Sequence, residues 1–358
     1  MKMKVFVLYG GRSAEHEVSL RTAFTVLGSM DRSRYDVYPV YITTDGLWSC
    51  NGAMKEPFAS KEELVLTAAG GDPAGSIGEV LSRYFSLPGK KAVLPLLHGS
   101  YGEDGTVQGL LELLDIPYVG NGVLSAALTL DKAMCKKVLE QEGIAQTRHV
   151  TLSPEQWLDG REDVMDWIEG EVGYPCYVKP ASLGSSIGIS RCPSRSELEA
   201  GIVQAFRYDR KLVVETEIVG REIQVAVMGN GAPVASLPGE FLHGVDFFDF
   251  QAKYMDQSLR MSVPAELPSH LLEEIRTLAL RAYIALDCAG LARVDFFVDG
   301  QGGIFLNEIN ALPGFTGTSM YPVMWERTSG IPYGELLDRL LDYGIARHEE
   351  KRRLQFAR

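Results

Sequence analysis

The sequence predicts an α/β protein that becomes α+β in its second half, and three observations carry the prediction. Strands alternate with helices up to about Leu130, which argues for an open, mostly parallel sheet. Two strand pairs then flank runs of small and turn-forming residues, Cys176–Lys179 with Ile189–Arg191 and Ala292–Val298 with Gly303–Asn310, which argues for antiparallel hairpins. The length of 358 residues exceeds one ordinary domain and suggests two or three.

Taken in order, the first element is an apolar strand, Lys4–Tyr9, running into the loop Gly10-Gly11-Arg12-Ser13. Val18, Ala23, Val26 and Leu27 fall on a helical period, and Val37–Tyr41 reads as the second strand. The apolar run Ala92–Leu97 ends in the polar loop His98–Gly105, and a helix follows over Thr106–Leu114. In open sheets of this kind ligands bind in the loops at strand ends. Asp131 is placed to cap a helix over Lys132–Glu142 that Gly143 stops. The first hairpin encloses the small-residue loop Ala181–Gly188, and Leu212–Glu215 and Ile223–Met228 read as further strands. Leu271, Ile275, Leu278, Ala282 and Leu286 line one face of a long helix capped by Ser269. The second hairpin turns at Asp299-Gly300, and a last helix, Gly334–Leu341, leads into a mildly basic tail expected to be solvated.

Composition excludes several classes. With 47 acidic and 35 basic residues the formal charge is −12, which disfavours a nucleic-acid binder, because non-specific affinity for phosphate backbones comes from Lys and Arg. The apolar run Val5–Tyr9 is too short for a signal-peptide core, and no run approaches a membrane span. Five scattered cysteines without a Cys-x-x-Cys pair argue against zinc and a disulfide framework, and reduced thiols fit a cytoplasmic location.

The second hairpin carries the strongest local signal. Alternation puts Arg293 and Asp295 on one face of its first strand, and Glu308 and Asn310 on one face of its second. A turn centred between Gln301 and Gly302 sets Asp295 opposite Glu308, an unfavourable pairing unless a cation lies between them. Oxygen ligands without thiol or imidazole select Mg²⁺ or Mn²⁺; the alternative is an exposed polar sheet face. The loop Lys179–Gly188 offers backbone N–H groups and a point charge to a phosphate, or is a plain flexible connection. Neither G-x-x-x-x-G-K-[ST] nor G-x-G-x-x-G occurs, so Walker-type and standard dinucleotide folds have no sequence support. Lys132 stands at the positive end of its helix, a placement suited to a docked anion or tolerated by a surface lysine. The clusters Ser13–Glu17, His98 with Glu103 and Asp104, Phe247–Tyr254 and Pro313–Met320 are not specific singly, and the run Glu15-His16-Glu17 is expected to be solvated.

In their order and spacing, Gly10–Ser19, His98–Gly105, Lys179–Gly188 and Asn307–Gly314 resemble the D-alanine–D-alanine ligases of the ATP-grasp superfamily, over nearly the whole chain. The resemblance implies three domains. They are an N-terminal open α/β domain (1–130), a central ATP-grasp subdomain with the Gly/Ser-rich loop (131–219), and a C-terminal subdomain with the metal site (220–358). ATP would lie between the antiparallel sheets of the latter two. By the same resemblance Lys132 and Lys179 contact ATP phosphates, with the Ser185-Ser186 loop closing over them. Glu215 and Ile218 hold the adenine region, Phe247 belongs to the nucleotide site, and Glu222 binds the ribose. Asp295, Glu308 and Asn310 bind two Mg²⁺ or Mn²⁺ ions, and Lys253 reaches the transferred phosphate.

The implied reaction makes an acyl phosphate of one D-alanine, which the amine of a second attacks. Arg293 and the Gly314 N–H would hold the oxyanion, and Glu15, linked through Ser185 to Tyr254, the first substrate's ammonium. Ser319 and the Met320 backbone would hold the second carboxylate, with His98 beside the substrates. Relatives that make depsipeptides lack the pair Lys253-Tyr254, and D-serine users often carry arginine at the position of Met320, so D-alanine is the expected second substrate. Thr216-Glu217 departs from the lysine–aromatic pair that many members place against adenine. A homodimer is the expected assembly, with D-alanine and ATP as partners and neither nucleic acid nor membrane among them. The loops Ser185–Gly188 and Glu240–Tyr254 are expected to move during turnover.

Overall fold

The structure, a computed structural model, describes residues 2–67, 71–242 and 260–355; Phe247, Lys253 and Tyr254 lie outside them. Three four-stranded sheets organise the chain. The first contains β1 (Met3–Gly10), β2 (Tyr35–Ile42), β3 (Trp48–Ser49) and β4 (Lys91–Pro95) in the order β3-β2-β1-β4, with β1 parallel to both β2 and β4. Val5 to Tyr9 are wholly buried, as a parallel strand covered on both faces requires. The chain moves to one side of β1 to form β2 and to the other to form β4. The loops after β1 and β4 therefore open at the point where strand order reverses, the usual ligand crevice of such sheets.

The second sheet, β5-β8-β6-β7, is antiparallel throughout and comprises β5 (His149–Leu152), β6 (Cys176–Pro180), β7 (Ser190–Cys192) and β8 (Leu212–Thr216). The expected hairpin is its β6–β7 edge. The third sheet, also antiparallel, runs β10-β9-β13-β14, with β9 (Gly220–Gly229), β10 (Val234–Ala235), β13 (Gly290–Asp299) and β14 (Ile304–Asn310). A two-stranded ribbon, β11 (Glu240–Leu242) with β12 (Arg260–Ser262), stands beside it.

Several sequence expectations need correction. The β13–β14 turn is centred on Gln301, with Val298 opposite Ile304, and not between Gln301 and Gly302. A bulge at Asn307 then shifts the register by one, so Asp295 still faces Glu308. Ser269 is the first residue of the Ser269–Ala285 helix, which Pro268 precedes in the capping position; within that helix Ala279 is buried where Leu278 is only half-buried.

The last helix spans Tyr333–Arg352, well past Leu341. Leu336, Leu337, Leu340 and Leu341 enter the same core as Val5, Val7 and Tyr9, so this helix covers a face of the first sheet. The tail is therefore helical and tethered up to Arg352, although residues 349–355 are exposed as expected. Arg347 stacks on Tyr118 at 4.4 Å, His348 pairs with Asp115 at 2.9 Å, and Lys351 pairs with Glu112. The Glu15-His16-Glu17 run is also not solvated: Glu15 and His16 are buried and only Glu17 is exposed.

Candidate active site

The loops and sheet ends enclose a cleft of about 930 Å³. Its walls bring together Glu15, His98, Lys132, Ser185, Arg293, Glu308, Asn310, Gly314, Ser319 and Met320, ten of the residues singled out in the sequence. Lys179, Ser186, Glu215, Ile218, Glu222 and Asp295 are not in that lining.

The first sheet supplies the floor. Gly10 leaves β1 with φ +91°, and a Cβ there would stand 2.2 Å from the Ile42 carbonyl, so only glycine permits the turn that brings Glu15 inward. Gly99, after β4, presses on the same residue: a Cβ would meet Glu15 Oε2 at 2.6 Å. Ser185 donates to Glu15 Oε1, tying the small-residue loop to the N-terminal half. Ser185 and Ser186 hold left-handed φ values of 52° and 59°, a conformation that costs L-residues energy and is seen most where a loop serves a site. Burial, with the nearby Glu103 carboxylate, raises the Glu15 pKa, while His98, Ser185 and Lys132 oppose the rise. His98 is itself buried, 3.1 Å from the Thr22 hydroxyl and 3.7 Å from Glu103.

Behind the loop lies a buried ion triad. Glu215 pairs with Lys179 through one oxygen and with Lys136 through the other at 3.1 Å, while the Thr147 hydroxyl donates to it at 3.2 Å. Burial opposes charge on Glu215, but the two ammonium groups hold its pKa well below the carboxylate range. For Lys179 burial works downward, and Glu215, with Glu308 and Glu222, keeps the pKa above the ordinary lysine value. Lys179 also reaches Asn307 Oδ1 at 3.4 Å, spanning the gap between the second and third sheets. Lys132 follows its cap Asp131, which accepts from the Met134 N–H, and its ammonium donates to the Leu183 carbonyl at 2.6 Å and lies 3.9 Å from Glu308. Glu217 is no stray charge, because Arg191 grips it through two bonds, at 2.6 and 3.0 Å.

The third sheet presents the opposite electrostatics. Arg293 donates to both oxygens of Asp295, at 2.8 and 2.7 Å, and Asn310 Nδ2 donates to Oδ2 at 3.1 Å. Even so, burial pushes the Asp295 pKa up to about 6; Arg293 opposes the shift, and Glu308 and Glu222 add to it. A buried carboxylate raised by neighbouring carboxylates is an environment that a divalent cation would reverse. Among the described residues no three His, Cys, Asp or Glu side chains form a ready metal cage. Two carboxylates and an amide suit Mg²⁺, which keeps water and substrate phosphate among its ligands.

Family models described as the N-terminus and the C-terminus of D-ala D-ala ligases match residues 4–121 and 138–342. The D-alanine–D-alanine ligase of Geobacillus kaustophilus is 44% identical over 362 residues, covering 99% of this chain and 98% of that one. The chain belongs to the D-alanine–D-alanine ligase family. The Staphylococcus epidermidis member is 42% identical over 355 residues, covering 99% and 98% of the two chains. Among solved structures, the Coxiella burnetii D-alanine–D-alanine ligase superposes with TM-score 0.79 at 33% identity, covering 98% of this chain and 96% of its own. VanG D-Ala:D-Ser ligase from Enterococcus faecalis gives TM-score 0.79 at 33% identity, covering 96% and 100%. The fold is thus that of the ATP-grasp D-alanine–D-alanine ligases.

Several residues in and around the cleft of this family member escape the sequence reading. Lys136 lies one helical turn after Lys132, so the i,i+4 spacing could have placed both on one face. Asn121 is buried and donates to the Leu291 and Ala311 carbonyls, pinning the third sheet to the first half of the chain; nothing in its local sequence signals that role. Arg21, Thr22 and Gln224 also line the cleft.

Proposed function

We propose that this family member ligates D-alanine to D-alanine at the expense of ATP, with the residues of the cleft in the following roles. Lys132, Lys179 and the Ser185-Ser186 loop hold ATP phosphates, Glu222 the ribose, and Ile218 with the backbone beside Glu215 the adenine. The Glu215 carboxylate itself serves the two lysines that occupy its oxygens. Asp295, Glu308 and Asn310 would hold two divalent cations, which would supply positive charge to offset that of the phosphates during the transfer. Glu15 binds the ammonium of the first D-alanine, and the closed cleft keeps water from its acyl phosphate. Arg293 and the Gly314 N–H donate to the oxyanion that forms when the second amine attacks, while Ser319 and the Met320 N–H anchor that substrate's carboxylate. His98 packs beside the substrates.

Phe247, Lys253 and Tyr254 keep the nucleotide, phosphate-contact and linking roles that the resemblance implies. Division near Leu130 and Val219, a cytoplasmic location and a homodimeric assembly belong to the same reading; no described helix is long and apolar enough to cross a membrane.

The observation that carries the proposal is the single cleft that joins Glu15, Ser185, Arg293, Glu308 and Ser319 from three separate sheets and loops. D-serine is the second reading, favoured by the likeness to VanG. Met320, apolar and buried at the proposed second subsite, supports D-alanine. Offering D-alanine, D-serine and D-lactate together with ATP and Mg²⁺ tests the choice. D-Ala-D-Ala should dominate the products, and a majority of the mixed dipeptide or depsipeptide would overturn it.

A further inference from the structure

Gln224, on β9, is buried to 4% exposure, yet among the described residues its side-chain Oε1 has no hydrogen-bond partner. A buried acceptor left without a donor costs stability, so such an atom at the wall of a cleft marks a place where a donor arrives. Gln224 does line the cleft, in company with Arg293, Ser319 and Met320.

Its register says which donor. Across the third sheet Gln224 stands directly opposite Asp295 on one side and Gly239 on the other, with paired backbone bonds of 2.8 Å to Gly239. Asp295 in turn faces Glu308. Gly239 is packed so close to Met320 that a Cβ would lie 3.0 Å from its sulfur. Residues opposite one another in antiparallel strands project from the same face. A single row thus runs from Met320, through Gly239 and Gln224, to Asp295 and Glu308. Under the ligase reading, on which this inference rests, one end of the row anchors the second substrate's carboxylate. The other end borders the phosphate of the activated first substrate. The amine of the second D-alanine must lie between the two.

We infer that Gln224 is a binding residue for the second amino acid, its amide oxygen accepting an N–H of the incoming amine. The amide is neutral and takes no proton. It orients the nitrogen so that the lone pair points along the row toward the acyl carbon, and an N–H of the amine satisfies the otherwise unpaired oxygen.

The test compares Gln224→Leu and Gln224→Glu with the unsubstituted chain, in initial-rate measurements over a wide D-alanine range fitted to two sites. Leucine keeps the volume and removes the acceptor, so the second-site KM should rise about tenfold. KM for ATP and for the first D-alanine should hold, and the melting temperature should stay level or rise. Glutamate keeps an acceptor and should stay within about threefold of the original second-site KM. An unchanged second-site KM in the leucine variant would overturn the inference, as would a lowered melting temperature with unaltered kinetics, the mark of a purely structural residue. A rise confined to the first-site KM would overturn it too. Absence of any dipeptide from the unsubstituted chain would instead strike the ligase reading, and the inference with it.

Discussion

Glu215 on β8 and Asp295 on β13 are both buried carboxylates beside strong cations, yet their proton affinities move in opposite directions. Two lysines share Glu215, and its pKa falls despite burial. One arginine serves Asp295, and burial with two neighbouring carboxylates lifts its pKa to about 6. The second sheet thus balances its buried charge with the protein's own side chains, whereas the third leaves a carboxylate environment that a cation would complete. Under the proposed function, a nucleotide between two such walls would meet ammonium groups on one side and carboxylate oxygens suited to a cation on the other. That asymmetry is what transfer of a phosphoryl group between them requires.

Removing the arginine that serves Asp295 should have the largest effect. Arg293→Ala takes away an oxyanion donor and the partner of Asp295, and kcat for dipeptide formation should fall by about 10²–10³-fold. Steady-state rates at saturating ATP check this, and an unchanged kcat would break the role assigned to Arg293. On the other wall, Lys136→Met leaves Glu215 with a single lysine. Breaking a buried ion pair typically destabilises by about 3–5 kcal/mol, and urea unfolding followed by circular dichroism should show a loss of that order. A stability within error of the original would mean that Lys179 and Thr147 suffice.

A smaller effect is expected from Glu308→Gln, which should move the midpoint of Mg²⁺ activation at least several-fold while the unfolding midpoint holds. The same titration curve in both proteins would refute the hairpin metal site. The smallest and most diagnostic effect is the response to pH. Glu215, depressed below 4.5, contributes stability that is present above that pH and lost in stronger acid. Asp295, raised from 3.8 to about 6, binds its proton more tightly in the folded state, so its contribution is full at low pH and lost as pH climbs through that window. Mg²⁺ should therefore raise the melting temperature more at about pH 8 than at about pH 5, where the carboxylate is protonated. Equal shifts at both would erase the contrast between the walls.

Much of this was legible in the sequence because strand alternation and turn chemistry are local. Periodicity pairs Arg293 with Asp295 and Glu308 with Asn310 on their strands, and the bulge at Asn307 restored the assumed facing of the two pairs although the turn sits half a residue from its expected centre. Asp131 capped its helix as read. What escaped is set by packing across long separations. Glu15 and His16 are buried because loops after two different strands converge on them, while their local composition reads as solvated. Lys136, Asn121 and Gln224 acquire their places only when distant strands dock. The C-terminal helix outran its expected end because its basic residues find Glu112, Asp115 and Tyr118 on the N-terminal half.

The most direct test of the central claim is a stoichiometric one: purified chain with ATP, Mg²⁺ and D-alanine, with phosphate release and dipeptide quantified in the same samples. The account predicts one D-Ala-D-Ala for each phosphate released, and no sustained phosphate release when D-alanine is omitted. Phosphate release without dipeptide would contradict it.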